Sequence, residues 1–427
     1  VTRRLALVSS HFPPSNLVGA HRARLWSRYL PEFGWQPIVV TGDPRQYEEG
    51  PDSDLERLVA PGLRVIHAPT LPLRPIRLVG DVGVRSFWGC YRTVAGLAKR
   101  GEIDFVLVTI PSNFLAPVGR LVRRRYRLPY GIDYQDPWVH RWQGVDRPFS
   151  RAWGSYRLSR LLEPWAVRDA ALITGMAPGY VSGMLERNPE VGERAVVACM
   201  AMGSAPEDFE LVRTLDRPAT LFQPGDGRFH MIYAGALLPA GLRVLDAFLA
   251  GLGALRARSP ELAARLRVHF VGTGTSPDDP HGHRVLPLAR QAGLEDLVDE
   301  HPRRIGYIDA LNHQEKCDAV LVLGSTEPHY TPSKVFQAIL SRRPVFALLH
   351  EDSTAVGTIR SAGAGTAITL TTNRMPPADE IATALAKLLT ERTSPPGVLD
   401  PHAFEPYSAR ESARALARAL DAACAAR

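Results

Sequence analysis

The chain has 427 residues, 45% hydrophobic and 22% charged, with a formal net charge of +7. This balance excludes a disordered or collagen-like chain, and the length accommodates two domains that each bury a core. The basic excess favours anionic partners such as nucleotide diphosphates or acidic lipids; nucleic acid is disfavoured because no basic run with interleaved aromatics sits on a recognisable binding module.

No apolar run reaches the roughly eighteen residues of a membrane span, and the chain opens directly on a strand-like segment. Neither a transmembrane helix nor a signal peptide is expected. Cys90, Cys199, Cys317 and Cys424 lie far apart in sequence. They lack the close pairing of metal or redox sites, so reduced thiols and a cytoplasmic location are expected, peripheral attachment to a membrane remaining open.

In chain order, an apolar strand over 5–9 leads into a loop containing His11, Asn16 and Gly19. A helical pattern with Leu25, Trp26, Tyr29, Leu30 and Phe33 on one side follows, and Gly34 ends it. Further strands are predicted over 36–41, 64–67, 105–109, 130–133, 171–174 and 195–199, with a helix over 115–126 that ends in arginines. Regular alternation of strand and helix predicts an α/β fold with a parallel doubly wound sheet and sites at strand carboxyl ends. Asp136 lies just beyond one strand, in Asp133-Tyr134-Gln135-Asp136-Pro137-Trp138. It suits either contact with a sugar hydroxyl or ordinary Asp-Pro turn chemistry.

The tryptophans, from Trp26 to Trp165, lie in the first half, several among arginines. They suit a domain core, or an acceptor or membrane surface in which aromatic faces and cations act together. Periodicity is lost over 212–228, where prolines and glycines cluster, and an interdomain linker is predicted. Alternation resumes with strands over 231–234 and 268–271. Gly235, Gly272 and the Gly306-Tyr307 pair follow where backbone would approach a nucleotide closely.

The stretch 318–349 is the most informative. An apolar strand over 319–323 precedes a polar loop over 324–330, and Thr331-Pro332 reads as an N-cap with proline at the first helical position. The helix ends before Pro344, and a second strand covers 345–349. Ser333, Lys334, Gln337 and Ser341 share one helix face, while Val335, Phe336, Ile339 and Leu340 share the other. The polar face is either an ordinary solvated one or a phosphate site, with Lys334 as its cation.

The order of strand, Glu-Pro loop, Pro-Ser-Lys-x-x-Gln-Ala and Arg-Pro-Val-x-Ala resembles the donor-binding segment of nucleotide-sugar glycosyltransferases of the GT-B fold, particularly the retaining family 4. The resemblance implies two Rossmann-like domains facing each other across a cleft. An N-terminal acceptor domain would occupy 1–215, a nucleotide-sugar domain 230–404, and a helix crossing back 405–427. It implies a UDP- or GDP-sugar as donor, a sugar, lipid-linked or small-molecule acceptor, retention of configuration, and neither cofactor nor metal.

By the same resemblance, Asp136 and Glu327 are catalytic, and Gly19, Gly235, Arg243, Gly272, Tyr307, Ser333, Lys334, Val335 and Gln337 bind the donor. His11, Asn16, Trp138 and His140 bind the acceptor. Two positions depart from the family: Gln337 stands where a ribose-binding Glu is usual, and Ala236 where a diphosphate-binding Arg is usual, with Arg243 as its substitute. A GT-B nucleotide-sugar epimerase and a diverged protein without transferase activity are the alternatives. Asp278-Asp279-Pro280-His281-Gly282-His283 reads as a solvated loop, and Val271-Gly272-Thr273-Gly274 lacks the rest of a dinucleotide fingerprint.

Overall fold

The computed structural model describes residues 2–73, 80–141, 144–237, 239–274, 282–328, 330–391 and 404–426. Asp278, Asp279, Pro280 and His281, named in the sequence reading, lie outside the described residues, as do Trp142 among the tryptophans and His329 in the loop over 324–330. The chain divides into two compact units, Val1–Gly203 with Ala409–Arg427, and Ser204–Ser408.

The first unit is built on seven strands: β1 (Arg3–Ser9), β2 (Trp35–Gly42), β3 (Arg64–Ala68), β4 (Phe105–Ile110), β5 (Tyr130–Tyr134), β6 (Leu172–Gly175) and β7 (Val196–Cys199). All pair in parallel, in the order β3-β2-β1-β4-β5-β6-β7. β4 and β5 are buried along their whole length. The nearly continuous apolar character of β4 is that of a strand covered by helices on both faces, whereas β5 carries the charged Asp133. The helix Ala409–Ala425 packs here: Trp26 Nε1 donates to Ser412 Oγ at 3.0 Å, Ser412 Oγ to the Ala201 carbonyl at 2.7 Å, and Trp35 Nε1 to Asp421 at 3.1 Å.

The second unit holds β8 (Phe229–Ala234), β9 (Leu266–Val271), β10 (Val298–His301), β11 (Ala319–Leu323), β12 (Val345–His350) and β13 (Gly365–Leu370). Their order is β10-β9-β8-β11-β12-β13, again all parallel. In each sheet the strand order reverses beside the first strand, at β1/β4 and at β8/β11. These are the topological switch points, where loops diverge and leave a crevice beyond the strand carboxyl ends.

Three local expectations are corrected. The segment 212–228 is not a free linker: it lies within the second unit, partly in the helix Pro206–Leu215. Asn312 Nδ2 donates to the Arg217 and Pro218 carbonyls at 3.1 and 3.3 Å, and Phe222 stacks on His230 and His269 with centroids 4.7 and 5.1 Å apart. The helix predicted over 115–126 begins at Pro117, after a separate 3-10 turn at Asn113–Leu115. The helix expected from Pro332 begins at Lys334 with Ser333 at its N-cap, because the Thr331 hydroxyl pairs with Thr354 Oγ1 at 2.8 Å instead of capping it.

Candidate functional site

In the second unit, the loops after β8 and β11 form a cleft at the switch point. Tyr233, Ala236, Gly241, Gly324, Ser325 and Glu327 are among its lining residues. Gly235 opens the first loop at φ +130°, a conformation that side chains rarely adopt. A Cβ there would sit 3.0 Å from Lys334 Nζ, so the glycine makes room for the ammonium. Gly272, at φ +71°, lies alongside, its added Cβ 3.9 Å from the Gly235 nitrogen.

Lys334 Nζ lies 3.8 Å from the centroid of the Tyr233 ring, and the Tyr233 hydroxyl donates to the Ala236 carbonyl at 3.0 Å. One tyrosine thus fixes both the Gly235-Ala236 turn and the position of the cation. Burial lowers the Lys334 ammonium to about 7. Loss of water disfavours the charged form, so this lysine gains when an anion arrives. Gln337, one turn further along the short helix Lys334–Leu340, has a buried Oε1 without a hydrogen-bond partner. A buried acceptor left unpaired costs about 1–3 kcal/mol, which a ligand hydroxyl would recover. Val335 is buried and Ser333 half-buried beside it, and Glu327 is exposed on the cleft rim.

Two other expected donor residues are engaged elsewhere. Arg243, exposed in the first turn of the helix Leu242–Arg258, reaches the Thr372 carbonyl at 3.4 Å. The Tyr307 hydroxyl donates to Asp208 at 2.8 Å, joining two helices. A residue not foreseen is Glu300 on β10, which accepts from Thr273 Oγ1 at 2.6 Å and from the N–H groups of Arg284, Val285 and Leu286 at 2.8–3.0 Å. Burial opposes its ionisation, but these bonds outweigh it and keep the carboxyl below its ordinary value. It holds the loop that carries Gly272 and Thr273.

In the first unit, the loops after β1, β4 and β5 converge. A Cβ on Gly19 would meet Pro111 at 2.5 Å, and Gln135 Nε2 donates to the Gly19 carbonyl at 3.5 Å. The half-buried His11 ring meets Ser10 Oγ at 3.0 Å, and its Nε2 lies 4.0 Å from Glu49. Burial lowers its pKa against the pull of Glu49 and Asp81. Asn16 is half-buried on the same loop. Asp136 follows β5 with its side chain reaching solvent, yet the protein around it displaces enough water to push its carboxyl up to about 6.

His140 is half-buried further along this loop. Trp138 is corrected: at 2% exposure it belongs to the core, its Nε1 unpartnered, and it has no free face for a sugar. Beneath this loop cluster lies a pair the sequence did not suggest. Arg22 Nε and Nη2 donate to both oxygens of Asp133 at 2.8 and 3.0 Å, Thr174 Oγ1 adds 2.7 Å, and both charged side chains are wholly buried. The guanidinium lies over the Trp26 ring at 4.0 Å. This spacing of Arg22 and Trp26, one helical turn apart, was the only available signal.

Residues 7–200 match the family model of the glycosyl transferase 4-like domain. No curated protein matches the sequence. Among solved structures, the chain is similar to sucrose-phosphate synthase from Thermosynechococcus elongatus (TM-score 0.63, 16% identity, 100% of both chains). It is also similar to HepE from Anabaena, solved in complex with UDP (TM-score 0.58, 14% identity, 98% of this chain and 99% of that one). A third is a UDP-forming trehalose-phosphate synthase from Burkholderia xenovorans (TM-score 0.58, 12% identity, 99% and 98%).

Proposed function

Taking residues 7–200 as a glycosyl transferase 4-like domain within a chain of GT-B fold, we propose that this protein is a glycosyltransferase that takes its sugar from a nucleotide diphosphate sugar bound in the second unit. The observation that carries the reading is the β8/β11 crevice. There an ammonium lies on a tyrosine face beside a glycine at φ +130°, and the helix that carries the ammonium holds an unpartnered buried amide oxygen one turn further on. Lys334 meets the diphosphate and stabilises negative charge as the leaving group departs, and Gln337 Oε1 accepts from a ribose hydroxyl. Ala236 contributes no cation, so more of this task falls on Lys334 and backbone amides than in the family pattern.

The first unit takes the acceptor, a hydroxyl-bearing sugar, lipid-linked or small molecule, beside His11, Asn16 and Asp136. The basic first unit also suits contact with a membrane. With a carboxyl near 6, Asp136 is mostly ionised at neutral pH and can accept a proton or position a hydroxyl. We read the reaction as proceeding with retention and without metal.

Incubation with UDP- and GDP-sugars, with and without a panel of acceptors, tests this. Acceptor-dependent release of nucleoside diphosphate is expected, and Asp136→Asn should lower turnover far more than nucleotide affinity. An epimerised sugar without release would identify an epimerase instead. No turnover with any sugar, despite tight nucleotide binding, would leave a binding protein.

A further inference from the structure

Three helices of the first unit, Val82–Lys99, Pro117–Tyr126 and Arg151–Val167, pack side by side. Between them lies an apolar cavity of about 400 Å³, walled by Phe87, Phe114, Leu121, Leu161 and Trp165. Leu161, one of its walls, is 71% exposed; Trp88, 62% exposed, meets the wall residue Phe87 with ring centroids 5.2 Å apart, and Leu158, 44% exposed, lies one helical turn before Leu161. Large side chains left in water this close together mark an interaction surface, since scattered single ones would not form a continuous patch with a cavity beneath.

Charge decides the partner. Arg92, Arg124, Arg125, Arg157 and Arg160 are all exposed on these helices. Their one acidic residue, Glu163, is buried and held by Arg187 at 2.7 Å, so it does not face outward. Arg124 lies over the Trp165 ring at 5.6 Å, at the edge of the cavity. We infer that this face docks on an anionic lipid bilayer, with Trp88, Leu158 and Leu161 entering the headgroup boundary and the arginines meeting acidic headgroups. The inference extends the reading in which the first unit takes the acceptor, and names the surface at which it works.

A soluble sugar fits poorly, because the cavity walls offer almost no hydrogen-bonding groups. A bilayer suits both components: indole rings favour the water–hydrocarbon boundary, and arginine stems lie along apolar surface while their heads stay wet. No described helix is long and apolar enough to cross a membrane, so the contact is peripheral and depends on apolar insertion and charge together.

Co-sedimentation of the full chain with vesicles tests this, using phosphatidylcholine alone and phosphatidylcholine mixed with phosphatidylglycerol. Binding is expected only to the mixed vesicles, weakening with salt. Arg124→Gln and Arg125→Gln should each weaken it roughly fivefold, and Trp88→Ser about tenfold. Calorimetry with UDP and GDP on the same proteins separates the two readings: intact nucleotide binding with no vesicle binding overturns the docking surface alone. Equal binding to both vesicle types would also overturn it. So would a dimer in sedimentation velocity that Leu161→Glu dissolves, since this would assign the face to a second copy of the chain.

Discussion

Lys334→Ala isolates the cation of the crevice. A hydrogen bond between an ammonium and a phosphate contributes about 1.5–3 kcal/mol, so nucleoside diphosphate affinity should fall roughly 10- to 150-fold. The same lysine predicts a pH dependence with a definite sign. Its pKa in the free protein is about 7, well below that of an ordinary lysine, because the charge is buried. Bound diphosphate favours the charged form and raises that value, so binding takes up a proton wherever the free lysine is neutral. Affinity should therefore decline as pH rises above about 7. At pH 9 only about one free molecule in a hundred carries the charge, so most of the 10- to 150-fold contribution should be lost. Titration calorimetry with a nucleotide sugar between pH 7 and 9 reads this directly, since its diphosphate bridge does not itself titrate there. Repeating it in buffers of different ionisation enthalpy counts the proton. Lys334→Arg should bind with little pH dependence, the guanidinium staying charged throughout. Equal affinity for wild type and Lys334→Ala, or a flat wild-type profile, would remove this lysine from the donor site.

Gln337→Glu should hold or improve affinity for ribonucleotides and increase discrimination against 2′-deoxy and 3′-deoxy analogues, measured by competition; a uniform loss across all three would mean that no ribose hydroxyl lies at Oε1. Asp133→Asn leaves Arg22 buried without its counter-charge, at a cost of about 3–5 kcal/mol, which should lower the thermal midpoint by roughly 6–20 °C in calorimetry. For His269, burial first and then the neighbouring His230 lower the pKa to about 3. The unfolded chain binds a proton near pH 6.5 and the folded one does not, so acid destabilises the second unit by up to about 1.4 kcal/mol per pH unit between those values. Urea denaturation at pH 7, 6 and 5 should show His269→Asn with the shallower loss; parallel losses would place the acid sensitivity elsewhere.

How much of this was legible depended on whether a residue's neighbours were local. β4, β11 and β12 announce themselves as apolar runs because both their faces are covered. β10 does not, since three of its four residues, Asp299, Glu300 and His301, are polar, and the buried Glu300 becomes acceptable inside the protein only through distant partners such as Thr273 and Leu286. β13, at the edge of its sheet and half-exposed at its start, begins with a glycine and shows no clear alternation. Lys334 and Gln337 could be paired from helical spacing alone. Tyr233 could not be joined to them, because a tyrosine near the end of a strand looks like any core aromatic until β11 and its following helix are placed beside it. For the same reason the proline- and glycine-rich segment after 212 read as a tether: Phe222 finds His230 and His269 only across a folded sheet.

The helix Ala409–Ala425 has a consequence for how the molecule comes into being. It supplies the partners of two buried indoles, Ser412 for Trp26 and Asp421 for Trp35, yet it is separated from them by the whole of the second unit. During synthesis the first unit must wait for that intervening chain, roughly 10 to 40 s at ordinary elongation rates. In that interval the groove for the helix stands open, while the second unit, continuous in sequence, gains its strands one after another as it is made. The part of the protein made first is therefore the last to be finished, and a chain cut at 408 would keep the whole second unit attached to an incomplete first one.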